Sequence, residues 1–222
     1  GNYGVIPQDF ASPHPRLAAY IVRQACDTPS NFRSQGDLDG YLRAEGVIGL
    51  QGVDTRALTR VIRESGVMNA AIVNEMPKDL ETLLGELRAF RPANGVELLS
   101  CQASYLFCEG GKHVALWDFG HADQAARALK ARGLKVSVVP AAATAAEILA
   151  LKPDGVLLAE GPGDPADNAG VIEQLRLLNK AQLPTLGIGL GHQLLALSRG
   201  AKTIKLPYGH RGDNQPVRAL PS

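Results

Sequence analysis

The hydrophobic positions change rhythm about halfway along the chain, and the two rhythms predict two kinds of architecture. Up to about residue 105 the apolar stretches are short and interrupted. Pro7, Pro13, Pro15 and Pro29 break the start into turns and extended pieces. Leu17–Val22 and Val47–Leu50 read as short strands, and Asp37 caps a helix that runs to Ala44 and ends at Gly46. Asp54 opens a second helix whose apolar positions Ala57, Leu58, Val61 and Ile62 share one face, and Gly66 supplies its left-handed stop. A third helix is predicted from Lys78 to about Ala89, stopped by Pro92. Residues 91–112, with their proline, asparagine and glycines, read as a linker.

From Lys112 on, apolar runs alternate with amphipathic stretches. Strands are predicted at His113–Phe119, Leu134–Val139, Gly155–Ala159 and Pro184–Ile188. Helices are predicted at Ala122–Arg132, Ala142–Leu151, 167–181 and 191–199. This repeated strand–helix order with short connections implies an α/β fold, a doubly wound parallel sheet with helices on both faces. The chain therefore divides into a small α+β domain at 1–105 and an α/β domain at 112–222. Ligands of such sheets bind beyond the carboxyl ends of the strands, so residues that follow strands carry the interest.

Composition narrows the function classes. The chain has 222 residues, 45% of them hydrophobic, with a formal net charge of +1. That charge gives no reason to expect nucleic acid or an anionic membrane as partner. No run approaches the ~18 apolar residues of a membrane span, and Gly1–Gly4 does not read as a signal peptide. Cys26, Cys101 and Cys108 fit neither a zinc pattern nor a disulfide framework, and are read as reduced thiols of a cytoplasmic protein. His14, His113, His121, His192 and His210 show no metal-ligand spacing, so no metal site is expected. Arg56, Arg60 and Arg63 share a face of their helix, read as a solvated basic face with partner contact as the alternative.

The chemistry concentrates at Gly187-Ile-Gly-Leu-Gly-His-Gln193, between a predicted strand and a predicted helix. Alternate glycines allow a tight turn and close approach of helix to strand. This is the layout of a nucleophile elbow, with residue 189 at the tip. The helix that follows aims its free N–H groups at the tip, and a cysteine there would attack as thiolate.

That stretch resembles the Gly-x-Cys-x-Gly-His-Gln elbow of class I glutamine amidotransferases. The longer run to Lys205 and on through Gly209–Pro216, the loop Gly161-Pro-Gly-Asp-Pro165 and Phe119-Gly120 are similar to the small subunit of carbamoyl-phosphate synthetase. Gly1–Gly4, Ser30–Arg33, Asp54–Arg56 and Leu58–Arg60 resemble that subunit's own N-terminal domain, which other amidotransferases lack. The resemblance implies a class I glutaminase-like second domain, and a chain incomplete at its start and truncated at its C-terminus. It also implies supply of ammonia from glutamine for carbamoyl phosphate, which feeds arginine and pyrimidine synthesis. A large synthetase subunit would be the partner. ATP and Mg are expected on that partner and no cofactor on this chain, which contains no Gly-x-x-x-x-Gly-Lys-Ser/Thr loop. By the same resemblance Gly161, Gly163, Leu190 and Gln193 line the glutamine site, with the N–H groups of Gly163 and Leu190 as oxyanion hole.

The departures matter as much. Gly189 stands at the nucleophile position and can form no thioester. The family's general-base histidine and its glutamate lie well beyond the elbow and are not found before Ser222. Residues 121–126 and Glu160 are unlike the family's usual ones. His192 is read as a helix-start residue, not a substitute base. The expected outcome is no glutamine hydrolysis and weak or no glutamine binding, with a docking or regulatory module of the synthetase as the alternative function. A dinucleotide-binding protein and a serine hydrolase are disfavoured: Asp118-Phe-Gly-His121 replaces the Gly-x-Gly-x-x-Gly turn and Gly189 replaces serine.

Overall fold

A computed structural model describes residues 4–10, 12, 14–92 and 94–209. Gly1–Tyr3 and 210–216, which carry part of the resemblance, and Pro13, one of the turn-breaking prolines, lie outside the described residues. The chain forms two compact units. One holds the described residues up to Ala70 and those from Pro207 on, the other is Ala71–Leu206.

In the first unit β1 (Ala19–Ile21) pairs in parallel with β2 (Ile48–Leu50). Helix α1 (Leu38–Ala44) starts where Asp37 accepts a bond from Gly40 N at 2.7 Å. Helix α2 (Thr55–Ser65) starts where Asp54 accepts from Arg56 N and Ala57 N, and it ends at Gly66 with φ +85°. Both helices thus begin at the acidic caps read from the sequence. The apolar face of α2 is not buried: Leu58 is 39% and Val61 48% exposed. Ile62 on the same face is half-buried. Arg56, Arg60 and Arg63 are all exposed.

The second unit begins earlier than the expected boundary at 105–112, and the stretch read as a linker is structured. After α3 (Leu80–Ala89) come α4 (Gly95–Leu99) and β3 (Tyr105–Cys108). Asn94 caps α4 by accepting from Val96 N at 3.1 Å, and Val96 is buried. β3 pairs antiparallel with the sheet edge. The prolines and glycines around these pieces masked two elements too short to show a period.

The remaining elements follow the predicted order: β4 (His113–Asp118), α5 (Asp123–Ala131), β5 (Lys135–Pro140), α6 (Ala145–Ala150), β6 (Gly155–Leu158), α7 (Ala169–Asn179), β7 (Thr185–Gly187) and α8 (Leu190–Ser198). The sheet order is β3-β5-β4-β6-β7, parallel except for β3. Strand alternation sorts side chains to two cores. Ala115, Trp117, Val156 and Leu158 face Ile148, Leu175 and Leu194 of α6, α7 and α8. Leu116, Val136, Val138 and Leu157 face Ala126 of α5. Both faces are covered, which is why these strands read as continuous apolar runs.

The order in which strands are added reverses at β4. Strand β5 lies on one side of it and β6 on the other, and the loops after β4 and β6 lead to opposite faces. The carboxyl ends of β4 and β6 therefore frame the topological switch point.

A candidate amidotransferase elbow at the switch point

Three connections meet at that end of the sheet. They are Phe119–His121 after β4, Glu160–Pro165 after β6, and Ile188–Gly189 after β7. The elbow is tied to the end of β6, since Ile188 N donates to Leu158 O at 3.0 Å and Gly191 N to Ala159 O at 3.1 Å. Gly191 N also closes the turn on Ile188 O at 2.9 Å.

The three alternate glycines have two different causes. Gly189 has φ +53° and ψ −117°, a conformation that strains any residue with a Cβ. Gly187 and Gly191 are steric. A Cβ on Gly187 would stand 2.6 Å from His192 N, and one on Gly191 would stand 2.6 Å from Leu158 Cβ and closer still to Leu158 O. The start of α8 thus lies directly on the strands, its N-terminal end at the switch point.

The loop after β6 is pressed between its neighbours. A Cβ on Gly161 would collide with Phe119 O and stand 2.9 Å from Leu190 Cδ2. Gly161 is therefore packed between the first loop and the elbow. His121 and Glu160 pair as an isolated antiparallel bridge. Gly163 adopts φ +90° and is exposed. Leu190 is buried, at 4% exposure, as the first residue of α8. Gln193 and His192 are exposed in the first turn of α8. Of the four residues assigned to glutamine from the sequence, Gly161 and Leu190 are in contact. Gly163 lies two residues along the loop from Gly161, and Gln193 one turn along the helix.

Sequence reasoning missed the support beneath these loops. The stretch 94–101, taken for linker, packs on them. A Cβ on Gly95 would stand 2.7 Å from Pro162 Cγ, and one on Gly120 2.8 Å from Leu99 Cβ. Asp118, only 7% exposed at the end of β4, accepts from Cys101 N and Gly120 N, each at 2.8 Å. Ser100 Oγ donates to Asp118 O and accepts from Ala141 N, both at 2.8 Å. Replacing Ser100 with Ala leaves two buried backbone groups without their partner. The expected loss is about 1–2 kcal/mol of stability, checked by denaturant unfolding. The one signal in the sequence was the asparagine cap before a valine.

The three cysteines are free thiols, and none belongs to these loops. Burial first, and Asp118 second, push the Cys101 thiol up to about 11, so it is a poor candidate for a displaced nucleophile. A separate cavity of about 410 Å³ lies between α4, α6 and α7, lined in part by Asn94, Gln102, Thr144, Asn168 and Gln174. Glu97, Asp167, Ser100 and Cys101 also line it, and none of these belongs to the three loops that meet at the elbow. No helix among the described residues is long and apolar enough to cross a membrane.

The comparisons with known proteins agree with this geometry. The family model of the carbamoyl-phosphate synthase small chain, CPSase domain, matches residues 1–72, and that of the class I glutamine amidotransferases matches 115–221. The chain is 44% identical over 221 residues to the carbamoyl phosphate synthase small chain of Listeria monocytogenes serotype 4b, covering 99% of this chain and 60% of that one. It is 43% identical over 227 residues to the small chain of Symbiobacterium thermophilum, covering 99% and 62%. It is 43% identical over 222 residues to the pyrimidine-specific small chain of Bacillus subtilis, covering 99% and 60%. This chain thus spans about three fifths of the length of the relatives it matches. Among solved structures, a GMP synthase-like protein of Thermoplasma acidophilum overlaps 41% of this chain and 46% of its own. Its TM-score is 0.35 and its identity 23%, too slight a likeness to carry an argument.

Proposed function

The chain belongs to the carbamoyl-phosphate synthase small-chain family, with its class I glutamine amidotransferase domain, and from that membership we propose that it docks on a large synthetase subunit without hydrolysing glutamine itself. The observation that carries the proposal is Gly189. It holds the strained backbone of an elbow tip, φ +53°, at the start of α8, and has no side chain to attack with.

The chemistry of amide hydrolysis at such an elbow makes the consequence specific. A nucleophile adds to the amide carbon, the carbonyl oxygen gains charge, and backbone N–H groups facing it hold that charge. Gly163 and Leu190 are the proposed donors, and Gly161 and Gln193 complete the proposed glutamine site. Leu190 is the first residue of α8, where N–H groups have no partner within the helix and favour an anion. These parts can stabilise an oxyanion but cannot create one, because no bond forms between Gly189 and the amide carbon.

In this reading the ancestral task is release of ammonia to a synthetase that makes carbamoyl phosphate, for arginine and pyrimidine synthesis in the cytoplasm. ATP and Mg²⁺ act on the large partner. The surviving contribution of this chain is docking, with the exposed Arg56, Arg60 and Arg63 of α2 as candidate contacts. The test is reconstitution with the large subunit of the source organism. Carbamoyl phosphate is expected from free ammonia and not from glutamine, and the two chains are expected to co-purify. Steady ammonia release from glutamine would sink the loss of hydrolysis, and failure to co-purify would sink the docking.

A further inference from the structure

The position of residue 189 is not empty on its open side. A Cβ built there has three nearest heavy atoms, and all belong to Glu160: Cγ at 3.2 Å, Cβ at 3.7 Å and Cδ at 3.7 Å. Glu160 follows the end of β6 by two residues and is held in place by its backbone bridge to His121. Its carboxylate carbon therefore lies beside the point from which a nucleophile's side chain would project.

Accepting that 189 is the nucleophile position, we propose that Glu160 and Gly189 are a matched pair: Glu160 puts a carboxylate against the elbow tip, so that cysteine at 189 alone does not restore a reactive thiolate. The argument has a steric and an electrostatic half. The Cγ at 3.2 Å is closer than a side chain normally approaches a Cβ, so Glu160 must shift to admit any side chain at 189. A sulfur one bond further out then shares the site with a carboxylate, and a like charge disfavours the thiolate. The start of α8 acts in the opposite direction, lowering a thiol's pKa through its free N–H groups. Glu160 thus works against the helix start at the tip.

Other titratable groups on the elements that meet there are His121 after β4, Asp164 in the loop after β6, and His192 in the first turn of α8. None supplies any of the three nearest atoms. Elsewhere in the same unit Cys101 lies beside Asp118, and there the carboxylate adds to burial in holding the thiol protonated.

The test needs no glutaminase activity, so its failure is separable from that of the functional proposal. Gly189→Cys and Gly189→Cys/Glu160→Gln are alkylated with iodoacetamide across pH 6–11. The tryptic peptide Ala181–Arg199, whose only cysteine is the introduced one, is followed by mass spectrometry. The thiol of the single variant is expected to titrate about one unit higher than that of the double variant. Midpoints that coincide would overturn the pairing. If Gly189→Cys does not fold, recovery on adding Glu160→Ala supports the pairing, and no recovery overturns it by showing that backbone strain is the obstacle.

Discussion

Gly191→Ala is expected to unfold the parallel-sheet unit or to cost it about 3 kcal/mol or more, read as the denaturation midpoint of the whole chain. The added methyl would stand 2.6 Å from Leu158 Cβ and closer to Leu158 O. Neither can retreat cheaply. Leu158 is fully buried at the end of β6, and its carbonyl accepts from Ile188 N at 3.0 Å. Lifting α8 off the strand to make room would break that bond. It would also break the two that Gly191 N makes to Ala159 O and Ile188 O. Gly170→Ala in α7 is the matching control. It has nothing within 4 Å of the new methyl, and helix propensity makes it neutral or stabilising by up to about 1 kcal/mol. If Gly191→Ala were as benign as Gly170→Ala, the close seating of α8 on β6 would be wrong.

The contrast also shows what the sequence could and could not convey. Gly187, Gly189 and Gly191 read as one device because their spacing is regular. Regular spacing does not distinguish a glycine needed for its φ from one needed for the room it leaves, and only Gly189 is of the first kind. The strands β4 to β6 were legible because burial on both faces produces long apolar runs with helices between them. The segment 94–108 was not. A five-residue helix and a four-residue strand complete too few periods, and what fixes them lies far away in sequence: Asn168 opposite Asn94, Asp118 opposite Cys101, and β5 opposite β3. The pairing of Glu160 with residue 189 was invisible for the same reason. Glu160 stood out as an unusual residue after a strand, but its distance to the elbow tip is a property of the folded sheet order.

Asp118 is where that hidden segment acts on the site, and Asp118→Ala is expected to destabilise the second unit by about 3 kcal/mol. Its carboxylate takes Cys101 N on one oxygen and Gly120 N on the other, each at 2.8 Å, in a position 7% exposed. Removing it strands two backbone donors, each at a cost of about 1–3 kcal/mol. Asp118→Asn keeps one acceptor oxygen, so about half that loss is expected. The asparagine variant has a second readout that simple loosening would not give. The Cys101 thiol is raised to about 11 by burial first and by Asp118 next, so removing the charge lowers its midpoint part of the way. The sign for stability follows. Below the ordinary thiol value of about 8.5 both folded and unfolded thiols are protonated, and the contribution is intact. Between there and about 11 the unfolded thiol ionises while the folded one does not, so stability falls as pH rises. In Asp118→Asn that alkaline loss is expected to be smaller and Cys101 alkylation faster at about pH 9. An alkylation rate unchanged from the parent would show that the carboxylate does not reach the thiol. The bond from Cys101 N would then have to be redrawn, and with it the attachment of 94–101 beneath the loops after β4 and β6.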